Sequence, residues 1–346
     1  MSRLSLWVIV ILAIAGIVAC GVAEAEPAAP QTDAPPPLVR AIFVQTTPSA
    51  TPQPTTDAPT TEATPTLDIT ATPTITPNPT WIADPIKAIR GDHFWLARPF
   101  LAINGIRDYA ERAYPYGTTA LGLQPHHGMD IPNPYGTTVR AVANGTVFYA
   151  GDDLNDIVFG PQTNFYGNVV VIEHHMEIPN SGGIMLDFYT LYGHLSAFYV
   201  RAGDPVEQFQ EIGAVGQEGV AIGPHLHLEV RIGDPYDYNA TYNPSLWVQP
   251  WSGYGVLAGR VLLKDSTYVP DVEVEVISQD TQRTYSTVTY HYDQVNGDPW
   301  FHENFVIEDL PAGRYDVRVK YLGRIAYQTT VDVLSERTAL INAIIE

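Results

Sequence analysis

Short stretches of this chain hold side chains able to grip a divalent metal. QPHHGMDIPNPYGTTV contains His126, His127 and Asp130, TLYGHLS contains His194, and GPHLHLEVRIG contains His225 and His227. Two imidazole nitrogens and a carboxylate oxygen suit a catalytic zinc, which takes three protein ligands and keeps a fourth position for water. His126 and Asp130 are four apart with Gly128 between them, and they converge if the chain turns there. His227 would close the triad. His-x-x-x-Asp alone and His-x-His alone are weak signals; together, with a Tyr-x-His between them, they are far more specific. Other hydrolytic signatures are missing: neither the G-x-S-x-G elbow nor the H-E-x-x-H zinc helix occurs.

Positioning these groups falls mainly to strands. In residues 223–233, Leu226, Leu228, Val230 and Ile232 alternate with His225, His227, Glu229 and Arg231. Successive strand side chains point to opposite faces, so the apolar set forms one stripe and the two histidines share the other. By itself that second face reads as a solvated polar one. Asn144-Gly145 between two apolar runs predicts a hairpin, and Asn180-Ser181-Gly182-Gly183 predicts another. Only residues 84–90 and 103–114 suggest short helices. Residues 81–250 are therefore expected to form an antiparallel β domain. Residues 254–346, with Val272, Val274 and Val276 alternating with acids, are expected to form a β-sandwich. The fold class is all-β.

The first 80 residues differ in kind. Residues 1–20 carry Arg3 and then an apolar run ending at Cys20, the lone cysteine, which rules out an internal disulfide framework. This is the pattern of a secretory signal. Ile17-Val18-Ala19-Cys20 resembles the lipobox of bacterial lipoproteins, which implies cleavage before Cys20 and a lipid on its sulfur. The alternative is an uncleaved anchor; both place the rest of the chain outside the cytoplasm, held at the membrane. Residues 21–80 are dominated by Pro, Thr and Ala, a composition that buries too little apolar surface to fold and favours an extended stalk. The net charge of −20 argues against nucleic-acid binding, since phosphate contacts need Lys and Arg.

HHGMDIPNPYGTTVRAVANGTV, YGNVVVIEH, YGHLS, VGQEGVAIGPHLHLEV and YNPSLW, in that order, resemble the lysostaphin-like zinc metalloendopeptidases over about residues 110–248. The resemblance implies a zinc enzyme that cuts peptide bonds in peptidoglycan stems or cross-bridges. Carried over by position, His126, Asp130 and His227 resemble the zinc ligands, and His225 and His194 the catalytic histidines. The spacing to Asp130 in the family pattern favours His126 over its neighbour His127. Tyr192 is a candidate to line the substrate groove, with aromatic packing as the alternative, and Tyr116 is a weaker groove candidate. His93, His174, His175, His291 and His302 read as structural. Asn104 is the one candidate for a residue that blocks the metal, and nothing around it supports that role. The C-terminal stretch resembles carboxypeptidase-regulatory-like and Cna-B-like modules, whose motifs name no activity. A non-catalytic wall-binding or amidase-activating protein on the same fold is the rival; such proteins usually lack a ligand or catalytic position, and none is missing here.

Overall fold

Runs rich in Val, Ile, Tyr and Phe, broken by Gly and Asn, suit strands better than helices. In the computed structural model, which describes residues 85–119 and 124–346, they form strands almost throughout. The first sheet contains β1 (Met129–Pro132), β2 (Thr138–Arg140), β3 (Gly145–Asp152), β4 (Asn168–Glu177), β5 (Met185–Phe198), β6 (Pro205–Val206), β7 (Glu211–Val215), β8 (His225–Ile232) and β9 (Thr241–Tyr242). Its main path runs β1-β8-β5-β4-β3-β6; β7 joins β5, β2 joins β7, and β9 joins β8. Every pairing in it is antiparallel.

The sandwich comprises β10 (Tyr254–Leu263), β11 (Glu273–Ser278), β12 (Thr284–Val288), β13 (Phe305–Pro311), β14 (Gly313–Tyr321), β15 (Arg324–Val333) and β16 (Thr338–Ile345). Its sheets are ordered β13-β10-β16 and β12-β11-β14-β15. Val272, Val274 and Val276 are buried, with Val317 and Val319, in the core between them. One pair, β10 with β16, is parallel.

The structure departs from three local expectations. Asn144-Gly145 does not close a hairpin between β2 and β3, because β2 pairs with β7 while β3 pairs with β4 and β6. Gly145 instead lies against β4, where a Cβ would meet the Glu173 carbonyl oxygen at 2.4 Å. Residues 103–114 form no helix. Asn104 and Gly105 turn the chain at φ 54° and 81°. The Arg107 amide then donates to Asn133 Oδ1 and the Glu111 amide to the Asp130 carbonyl, so these groups serve β1 rather than a helical ladder. Asn104 is exposed on this turn. The segment 84–90 yields only a 3-10 turn, Pro85–Ala88. The Asn180–Gly183 turn does join β4 to β5, with Glu177 opposite Met185. Among the described residues no helix is long and apolar enough to cross a membrane. Cys20, the signal-like segment and the Thr/Pro stalk lie outside the described residues.

The two β units share one apolar cluster. Val256, Ala258, Tyr290, Phe301 and Val306 pack with Tyr116, Leu246 and Trp247. Arg98 adds a forked ion pair to Asp309 of the sandwich, with Nη1 3.0 Å from Oδ2, and lies 4.4 Å over the Trp251 ring. Tyr116 belongs to this junction and not to a groove. It is 3% exposed, and its hydroxyl donates to the Thr241 carbonyl at 2.8 Å, with the Asn296 carbonyl 3.1 Å away, while its ring meets Tyr290 edge-on.

His93 is also at the junction, fully buried, with Nε2 2.7 Å from Asp298 Oδ2 in a contact too poorly aligned for a hydrogen bond. Burial opposes charge on the imidazole, but Asp298 outweighs it and raises the pKa of His93 above 6.5. Burial, reinforced by Asp298, holds Glu303 well above the usual 4.5. Both groups bind protons more tightly folded than unfolded, so their stabilisation is full at acid pH and falls as pH rises through the raised values. The melting temperature of wild type should therefore drop more between pH 6 and pH 8 than that of His93→Gln, as followed by thermal denaturation; equal slopes would refute this.

Candidate active site

Strand register assembles the site. β1 and β8 lie antiparallel with Asp130 directly opposite His227 and Pro132 opposite His225. On the other side of β8, His227 pairs with Gly193 of β5. His194 follows at φ 59°, a left-handed conformation rare outside glycine. That turn carries its ring back over the site, 4.8 Å from the His225 ring and 5.6 Å from His227. His126 enters from the segment before β1, its ring stacked on Tyr114 at 4.3 Å. Gly128 makes this entry possible. A Cβ there would lie 2.6 Å from the Leu228 carbonyl oxygen and 2.8 Å from the His227 ring. Gly128→Ala should displace His227 and lower metal affinity by at least tenfold, measured by chelator competition.

Three donor atoms converge. His126 Nε2 is 3.1 Å from Asp130 Oδ1 and 3.2 Å from His227 Nδ1, and His227 Nδ1 is 2.8 Å from Asp130 Oδ1. Among the described residues this is the one group of His, Cys, Asp and Glu able to hold an ion between them. Zinc bonds of ~2.0–2.2 Å in a tetrahedron separate ligand atoms by roughly 3.3 Å, close to what is seen. Tautomers support the fit. His126 Nδ1 donates to the Tyr114 carbonyl at 2.7 Å, and His227 Nε2 donates to Glu229 Oε1 at 3.0 Å. The neutral rings therefore aim their lone pairs at the Asp130 carboxylate, an arrangement that calls for a cation. With a proton there instead, His227 is raised to about 9: burial opposes this, and hydrogen bonds to Asp130 and Glu229 outweigh it. Burial likewise opposes charge on Asp130, yet His126 and His227 hold its pKa well below 3.8.

His225 and His194 stand beside this cluster with one nitrogen each engaged. His225 Nδ1 donates to the Gly223 carbonyl at 2.9 Å, leaving Nε2 3.5 Å from Asp130 Oδ1. His194 Nδ1 donates to the Glu218 carbonyl at 2.7 Å. Burial, aided by the neighbouring histidines, lowers His194 to about 3. Burial also lowers His225, against the pull of Asp130. Both rings are thus neutral near pH 7, each with Nε2 as an acceptor.

His127 points elsewhere, stacking on Tyr238 at 3.9 Å with Nδ1 3.1 Å from Thr241 Oγ1. His174 is bound to the Asn144 carbonyl and Thr190 Oγ1, and exposed His175 pairs with Asp187. Tyr192 is not a groove residue. The turn at His194 breaks the two-residue period, and the Tyr192 ring is fully buried, its hydroxyl accepting from the Val142 amide at 3.0 Å and from Thr190. Tyr192→Phe should leave kcat unchanged while stranding that amide, at a cost of about 1–3 kcal/mol in denaturant unfolding.

Residues of the supposedly solvated face of β8 emerge as part of the site. Glu229 and Arg231 are both fully buried, Glu229 touching His227 on one side and Arg231 on the other. The signal was their position on the histidine face; what it lacked was the Tyr166 segment that covers it.

The sheet and its five polar residues define a lysostaphin-like peptidase domain. Residues 124–241 match peptidase family M23. Among curated relatives, the DD-carboxypeptidase/endopeptidase Mpg of Neisseria meningitidis serogroup B is 40% identical over 107 residues, 31% of this chain and 20% of that protein. The glycyl-glycine endopeptidase ALE-1 of Staphylococcus capitis is 30% identical over 147 residues, 42% of this chain and 35% of that protein. The chain thus spans between a fifth and about a third of the length of these relatives. Among solved structures, the catalytic domain of lysostaphin from Staphylococcus simulans is 28% identical, covering 39% of this chain and 89% of that one, with a TM-score of 0.31.

Proposed function

We propose that this chain is an exported, zinc-dependent endopeptidase that hydrolyses peptide bonds of peptidoglycan, held at the membrane by a lipid on Cys20 and reaching the wall on its Thr/Pro stalk. The observation that carries the proposal is the set of lone pairs of His126, Asp130 and His227 aimed at one point, with two neutral histidines beside it. A family M23 domain and endopeptidase relatives support the peptide bond as the target.

Zinc held by His126, Asp130 and His227 would supply Lewis acidity, lowering the pKa of a water and polarising the scissile carbonyl. His225 accepts the proton of the attacking water at Nε2, since its Nδ1 is committed to the Gly223 carbonyl. The imidazolium so formed is steadied by Asp130, 3.5 Å away, and returns the proton to the leaving amine. His194, with Nδ1 occupied, accepts a hydrogen bond from the water and orients it. As a neutral acceptor it does not donate to the developing oxyanion.

The test is incubation of the full chain with purified peptidoglycan and mass spectrometry of the products. New amine and carboxyl ends, lost on chelation and restored by zinc, are expected. Intact muropeptides from every wall type tried would overturn the proposal and favour a non-catalytic wall-binding protein.

A further inference from the structure

We infer that Glu229 is a positioning residue: it fixes the ring of His227 for metal binding and, through Arg231, ties that ring to the loops bordering the site. The inference rests on the zinc reading above. Glu229 Oε1 accepts from His227 Nε2 at 3.0 Å, and Oε2 accepts from Arg231 Nε at 2.6 Å. The Tyr166 hydroxyl donates to the same Oε1 and accepts from Arg231 Nη2 at 2.9 Å. Arg231 spends its remaining donors on backbone. Nη1 and Nη2 each reach the Phe159 carbonyl at 3.2 Å, and Nη1 reaches the Pro235 carbonyl at 2.7 Å. Phe159 belongs to the segment between β3 and β4, and Pro235 to the segment between β8 and β9.

The physical reason is directional. An imidazole ligand rotates about its side-chain bonds and exchanges tautomers unless its second nitrogen is held. A carboxylate at that nitrogen fixes the proton on Nε2, leaves the Nδ1 lone pair toward Asp130 and His126, and makes the ring a better donor. Burying Glu229 and Arg231 together is a poor device for stability, because desolvation offsets most of their attraction and apolar residues of similar volume do as well. The carboxylate makes sense as a contact to the ligand ring, with Arg231 balancing its charge.

In the full chain, zinc affinity by competition with a chromogenic chelator, and the visible spectrum of the cobalt-substituted protein, are compared for wild type and Glu229→Gln. Affinity should fall about 10–100-fold and the cobalt bands should shift, with one metal still bound per chain at saturation. Glu229→Gln leaves Arg231 buried without its counter-charge. The double variant Glu229→Gln/Arg231→Met removes both charges and should show the same loss. Unchanged affinity and spectrum in either folded variant would overturn the inference. Zinc-loaded wild type gives a measurement free of any variant: side-chain nitrogen NMR of His227 should find the proton on Nε2, and a proton on Nδ1 would overturn the inference. A wild type that takes up no zinc fails differently, overturning the zinc reading itself.

Discussion

Substituting alanine for His227 should remove zinc and turnover together. The ring is the one ligand contributed by β8, and Asp130 faces it directly across the β1–β8 ladder. Without it, His126 and Asp130 remain four residues apart on one segment, with two donor atoms where a catalytic zinc takes three. The loss also takes one of three partners from Glu229, whose carboxylate is buried at 0% exposure and keeps Tyr166 and Arg231. Metal analysis after dialysis should fall from one zinc per chain to near none. Losing the several kcal/mol that such a metal contributes lowers the rate on the order of 10³–10⁴-fold. A His227→Ala protein that retained one tightly bound zinc would show that another residue holds the metal. His126→Ala should behave the same way and His127→Ala should not, since His127 turns toward Thr241 and Tyr238.

The sequence shows why this much was legible and where it stopped. Alternation in GPHLHLEVRIG places His225 and His227 on one face of a strand, and the structure has β8 over His225–Ile232. Alternation says which residues share a face, but not what covers that face. Glu229 and Arg231 therefore looked solvated, whereas Tyr166 and the Phe159 segment bury them. It also fails where a strand is irregular: the left-handed His194 sends Tyr192 into the core although the two are spaced as same-face residues. Tyr116 is hidden from the sequence for a different reason. Its partners, Thr241 and Asn296, are 125 and 180 residues away, and the junction between sheet and sandwich that unites them leaves no local trace. Asn144-Gly145 has hairpin chemistry, yet its flanking strands have other partners, β2 pairing with β7 and β3 with β4.

Replacing His225 rather than His227 should separate metal binding from chemistry. His225 lies on the same face of β8, but its Nδ1 is held by Gly223, and its Nε2 is 3.5 Å from Asp130 Oδ1. It thus stands beside the ligand set that the metal analysis counts. His225→Ala should bind zinc with affinity within a fewfold of wild type, because His126, Asp130 and His227 keep their mutual contacts. Turnover should fall by about 10²–10⁴-fold, the usual worth of a positioned general base and acid. The loss should appear in kcat more than in KM, since the proton moves in the transition state and not on binding. His194→Ala should cost less, because that ring orients the water through an acceptor nitrogen without carrying the proton to the leaving group. If His225→Ala lost its zinc, the histidine would be a ligand; if it kept full turnover, the base would lie elsewhere and His194 would be the group to examine.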